Sequence, residues 1–308
     1  MASADEGLKS EQMKVALAEA LAGASEDSSD QLEAMLARYG GLPSAKPNMR
    51  LAAAFGAEVA NFTTRPVTKL LRKFSGIETI EDDPKTFLPV AAAHAWAAMI
   101  HAGRDVNHAW SELADIASDE RIPVKLGVLD AVAALAVREG GGDVMVERAN
   151  EWLEIEEREI RYGALSTAIE VLGDGRVLAG LGDHAALFDF LSRALLEMAD
   201  APRSASRSTL RRRVMTALPR TLAAVIAAFD AADEAQSWFR GECERADDED
   251  VREILSATIV RLRQSGSSQK SSLTDGLRAA LEASAKPLRH AARVRPGTAR
   301  GKNSRKIR

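Results

Sequence analysis

Two matched segments, SDERIPVKLGVLDAVAAL (118–135) and EIEEREIRYGALSTAIEVL (154–172), constrain the fold more than any other feature of the chain. Set 36 residues apart, Val124-Lys125-Leu126-Gly127-Val128-Leu129 falls on Ile160-Arg161-Tyr162-Gly163-Ala164-Leu165. Apolar or small positions coincide as well: Val124, Val128, Ala131, Val132 and Leu135 match Ile160, Ala164, Thr167, Ala168 and Val171. Offsets of 0, 4, 7, 8 and 11 trace one stripe of an α-helix. A third segment, DDEDVREILSATIVRLR, carries the same offsets at Val251, Leu255, Thr258, Ile259 and Leu262. Helices this short cannot bury such a stripe alone, so copies must stack on one another.

The expectation is therefore an all-α chain, an α-solenoid of stacked antiparallel helix pairs. Alternating Val/Ile/Thr-rich runs bounded by turn pairs are missing, so β structure is not expected. Residues 1–48 read as N-terminal helices capping the array, 49–264 as the repeats, and 265–308 as a flexible linker, a short helix and a basic tail. Within the array, KTFLPVAAAHAWAAMIHAG is apolar nearly all round and should be central. Outer helices are expected at about Asn107–Ser118 and Val144–Leu153. GDGRVLAGLGDH reads as a loop or cap, QSGSSQKSS as a linker, and Pro219 is expected to kink or split a helix that starts near Thr209.

Charge is unevenly spread. From Lys286 to Arg308 there are nine Lys/Arg and no Asp or Glu, which leaves 32 basic against 45 acidic side chains elsewhere, a balance of −13. High charge with Pro and Gly reads as a disordered cationic arm able to gather nucleic acid or an acidic partner, or to fold back on the acidic body. No apolar run approaches the length needed to cross a bilayer. The polar, acidic start is neither a secretory nor a transit signal. Cys243 is the only cysteine, which excludes an internal disulfide and a cysteine-based zinc site. A cytoplasmic protein is expected.

The acidic lead, then Lys125 or Arg161 just after the first stripe residue, resembles HEAT repeats, and the 36-residue period lies between tetratricopeptide and HEAT or armadillo lengths. Residues Met49 to Leu262 look like a group of bacterial HEAT-repeat proteins, in which a phrase like FLPVAAAHAWAAM precedes two repeats and one like DDEDVREIL closes the array. That resemblance implies a HEAT/armadillo-like fold and no activity. A fainter similarity is to HEAT-like DNA alkylation-repair glycosylases, which implies a DNA-binding face.

On this reading the protein is a non-catalytic binder that engages a protein or a nucleic-acid backbone on a concave face, helped by the tail. No cofactor and no membrane contact is expected, and oligomeric state is not legible. Candidate binding residues are Lys125, Arg161 and Arg252 on the repeat helices, and Arg207, Arg211, Arg212 and Arg213 in a Ser-rich break and after it. Tail candidates are Arg289, Arg293, Arg295, Arg300, Lys302, Arg305 and Lys306. The bland account of Lys125, Arg161 and Arg252 is a ladder of ion pairs to neighbouring turns. The alternative, an alkylpurine DNA glycosylase, needs an indole pair and a carboxylate facing the groove, drawn from Trp110, Trp152, Asp115, Asp119 and Asp130. Against it, Trp110 sits in an apolar stripe and Asp119 is placed as a cap. His94, His101 and His108 recur every seven residues, about 10 Å along a helix, too far apart for two of them to share a metal.

Overall fold

A computed structural model describes residues 12, 14–24, 28–43, 46–61, 65–229, 233–264 and 268–284. It is helical throughout and contains no β-strand among the described residues. A helical stretch α1 (14–22) is followed by α2 (Asp30–Tyr39), α3 (Met49–Asn61), α4 (Arg65–Ser75) and the central α5 (Phe87–His101). Then come α6 (Val106–Ala117), α7 (Ile122–Ala136), α8 (Gly141–Leu153), α9 (Arg158–Leu172) and the short α10 (Gly175–Ala179). The far half holds α11 (His184–Ala199), α12 (Thr209–Ala228), α13 (Asp233–Arg245), α14 (Glu249–Gln264) and α15 (Ser268–Ala283).

Helices α3, α5, α7, α9, α12 and α14 form one row, each packed on the next, while α4, α6, α8, α11 and α13 lie behind them. The matched stripes explain this row. Val124, Val128, Ala131 and Val132 of α7 are buried, as are Ala164, Thr167, Ala168 and Val171 of α9 and Val251, Leu255, Thr258, Ile259 and Leu262 of α14. Helix α5 is buried along most of its length, from Phe87 to Ala97, as an all-round apolar helix must be. Pro89 falls in its first turn, where a missing N–H costs nothing.

Three local expectations are corrected. Pro219 does not split α12, which runs unbroken for 20 residues. The bond Pro219 cannot donate is offset by burial on both sides of it, at Val214, Leu218, Leu222 and Val225, and by the Thr221 hydroxyl donating to the Ile169 carbonyl at 2.8 Å. The glycine-rich stretch after α9 holds a helix, α10, because the Asp174 side chain accepts from the Arg176 N–H and caps it. Finally, α15 begins at Ser268, inside the stretch read as linker, and packs on α13 and α14 through buried Leu277 and Leu281.

Candidate functional site

Most cations singled out on the repeat helices tie neighbouring helices together. Lys125 of α7 meets Glu170 of α9 at 2.7 Å. Arg161 of α9 meets Glu197 of α11 at 2.9 Å and donates to the Ile155 carbonyl at 2.7 Å. Arg252 donates instead to the Ala246 carbonyl at 3.1 Å and the Ser284 hydroxyl at 2.6 Å. Arg211 is buried, donating to Asp250 at 2.6 Å and to the Met198 carbonyl at 3.0 Å. Arg207 is exposed at the end of a 3-10 turn (Arg203–Arg207). The tail candidates Arg289, Arg293, Arg295, Arg300, Lys302, Arg305 and Lys306 lie outside the described residues.

Two clefts adjoin along the faces of α7, α9 and α12, and Glu170 lines both. The first, about 430 Å³, is walled by Met49, Leu126, Leu129, Ala133 and Val171, with Lys46, Asp130 and Asp174 at its edge. The second, about 370 Å³, is walled by Lys125, Thr209, Arg212, Arg213, Thr216 and Arg220. The result is a groove with a mainly apolar half, edged by charges of both signs, and a cationic half, joined at the Lys125–Glu170 pair.

Leu126 and Leu129 were not among the candidates, yet their signal was present. Ile122, Leu126, Leu129, Ala133 and Val137 form a second apolar stripe on α7, at offsets 0, 4, 7, 11 and 15 from the first of them. Ile122 is 57% exposed, Leu126 36% and Val137 38%. In α9 the matching Tyr162, Leu165 and Ile169 are buried. Helix α12 lies against α9, bonding through Thr221 to Ile169, whereas the matching face of α7 opens into the first cleft.

The glycosylase constellation is not assembled. Trp110 and Trp152 stack edge to face at 5.8 Å and are each 4% exposed, so the indoles fill the core between α6 and α8 rather than face a groove. Asp115 and Asp119 line a different cleft, of about 350 Å³ beside α4 and α6, while Asp130 lines the first. Asp119 is engaged with Arg121, accepting from its N–H at 2.8 Å and its guanidinium at 2.5 Å. Partial burial and the charges of Glu112 and Glu157 raise the Asp115 carboxyl above the usual range. Burial pushes the Cys243 thiol up to about 12, which keeps it protonated and unreactive. Among the described residues no group of His, Cys, Asp and Glu is placed to hold a metal ion.

His94 is buried in α5, with Nε2 3.6 Å from the Asp130 carboxylate at the cleft edge. Burial lowers its pKa below the ordinary value, and Asp130 pulls the other way. The fold favours the neutral ring, so on acidification the unfolded chain takes up this proton first. The resulting stabilisation is complete above about pH 6.5 and is lost as pH falls through the lowered folded pKa. His94→Leu should therefore melt with a shallower pH dependence than the wild type between about pH 5 and 7. Identical slopes would remove His94 as a source of acid sensitivity.

No protein-family model matches the chain, and no curated protein matches it. Among solved structures it is similar to a designed armadillo repeat protein, at 17% identity and a TM-score of 0.31, covering 74% of this chain and 98% of that one. It is also similar to an engineered protein, at 13% identity and a TM-score of 0.26, covering 87% and 88%. The architecture rests on this chain's own helix order and packing: it is an all-α, armadillo/HEAT-like helical-repeat solenoid. No helix among the described residues is long and apolar enough to cross a membrane.

Proposed function

We propose that this helical-repeat protein is a non-catalytic scaffold that grips a segment of a partner protein along the groove of α7, α9 and α12. The observation that carries the reading is the second apolar stripe of α7, which opens into a cleft while its counterpart on α9 is buried. A partner side chain seated between Leu126, Leu129 and Met49 would remove apolar surface from water at both ends, the usual source of binding energy at a groove. That half is lined mainly by apolar side chains, which suits a protein side chain better than a nucleic-acid backbone. The nine cations from Lys286 to Arg308 serve this reading as a long-range attraction for an acidic partner surface.

A peptide-display selection on the full chain tests the proposal. Peptides selected on the wild type should bind the Leu126→Asp, Leu129→Asp double variant at least about ten-fold more weakly, the loss of one buried anchor. A cooperative melt should show that the variant is folded, at a lowered temperature because half-buried Leu129 packs against the core while Leu126 is exposed. Equal affinity for both proteins, or a selection that yields no binder, would overturn the groove as the partner site.

A further inference from the structure

We propose that the cationic half of the groove is a site for a phosphate monoester dianion, carried by a phosphorylated side chain of the partner segment. The identity of the carrier rests on the function proposed above; the anion site stands on its own geometry.

The chain outside the tail is acidic, and part of its arginine charge is neutralised by ion pairs. Eight arginines among the described residues pair with a carboxylate: Arg72, Arg121, Arg148, Arg161, Arg176, Arg193, Arg211 and Arg245. Three arginines of the α12 cleft are not among them. Arg213 donates to two backbone carbonyls, of Asp119 at 3.0 Å and Glu120 at 2.5 Å. Arg212 donates to the Ser208 carbonyl at 3.4 Å and the Thr209 hydroxyl at 3.3 Å. Arg220 makes no ion pair with a described carboxylate and is exposed in the cleft. These neutral partners fix side-chain positions and leave the charge uncancelled. With Lys125 already held by Glu170, three guanidiniums face one cleft with no carboxylate of their own.

Spacing concentrates that charge. Arg212, Thr216 and Arg220 are four residues apart in turn and share one face of α12. Arg212 and Arg220 lie about 12 Å apart along the axis, a span that two long arms can close over one group at the level of Thr216. Thr216 donates its hydroxyl to the Arg212 carbonyl at 2.8 Å, which settles that turn. Thr209 accepts from Arg212, so its own hydroxyl proton is free to donate. A carboxylate offers two oxygens to such an array; a monoester phosphate offers three and a second charge, and guanidinium forks match it. Beyond Glu170 the same groove turns apolar, which suits a phosphorylated residue followed by a hydrophobic one.

The experiment uses isotope-labelled full-length protein titrated with inorganic phosphate, O-phosphoserine and a short duplex DNA, each against chloride at matched ionic strength. Phosphate and phosphoserine should shift the backbone signals of residues 208–220 saturably. Arg212→Ala and Arg220→Ala, both at exposed positions, should each weaken binding about ten-fold or more. A groove-binding peptide should tighten about ten-fold or more when a serine beside its hydrophobic anchor is phosphorylated. No saturable shift with phosphate, or one that survives in the double arginine variant, would overturn the site. Tighter binding of duplex DNA than of the phosphopeptide would overturn the carrier. Phosphate binding alongside an unaffected Leu126/Leu129 double variant would reject the groove function and leave the anion site standing.

Discussion

Gly163→Ala is expected to lower the stability of the fold by about 3 kcal/mol, the upper end of overpacking costs. A methyl group built on Gly163 of α9 would sit 2.5 Å from the Ala117 carbonyl oxygen and 2.6 Å from the Ser118 Cα. Both are backbone atoms at the end of α6, so no side chain can swing away, and α9 must move off α6 to admit the methyl. Glycine is needed there for close approach, not for an unusual turn. Gly127, its partner in the repeat, also allows a close approach, here to the side chain of Val90 on α5, which an added methyl would meet at 2.7 Å. Gly175→Ala at the first position of α10 supplies the control, since nothing lies within 4 Å of its added methyl. That change should alter stability by no more than about 1 kcal/mol. Urea unfolding of the three proteins decides the matter, and equal midpoints for Gly163→Ala and the wild type would show that the α6–α9 contact is not tight.

How much of this was legible in the sequence depends on whether a residue's role is set by its own helix or by what lies across from it. The 36-residue match is a property of single helices, and it predicts the row through α7, α9 and α14 from the burial stripes alone. The groove is a property of packing. Leu129 and Leu165 occupy equivalent repeat positions, yet Leu129 lines a cleft and Leu165 is buried, because α12 lies against α9 while the matching face of α7 borders the open cleft. The arginine triplet makes the same point within three residues. Successive side chains on a helix point about 100° apart, so Arg211, Arg212 and Arg213 cannot form one patch. Arg211 turns inward to Asp250, Arg212 faces the cleft, and Arg213 is pinned to the backbone at Asp119 and Glu120. Grouping them by charge alone hid one structural cation among two candidate ligands.

The Arg211–Asp250 pair should respond unequally to loss of either partner. Arg211 joins three helices: it belongs to α12, donates to the Met198 carbonyl near the end of α11, and pairs with Asp250 in the first turn of α14. Its side chain is 6% exposed, whereas that of Asp250 is 42% exposed. Removing the carboxylate strands a cation where water reaches poorly; removing the cation leaves a carboxylate that water can solvate. Asp250→Ala is therefore expected to cost about 3 kcal/mol, within the range for breaking a buried pair from one side. The Arg211→Met variant keeps most of the apolar stem beside Met215, gives up the hydrogen bonds to Met198, Asp250 and the Met215 sulfur, and should cost about 1–2 kcal/mol. In the double variant neither charge is stranded, so its loss should be smaller than the sum of the single losses. Denaturation of the four proteins at one pH measures the cycle. If Arg211→Met proved the more damaging single change, packing of the arginine stem rather than its charge would be what joins α11, α12 and α14.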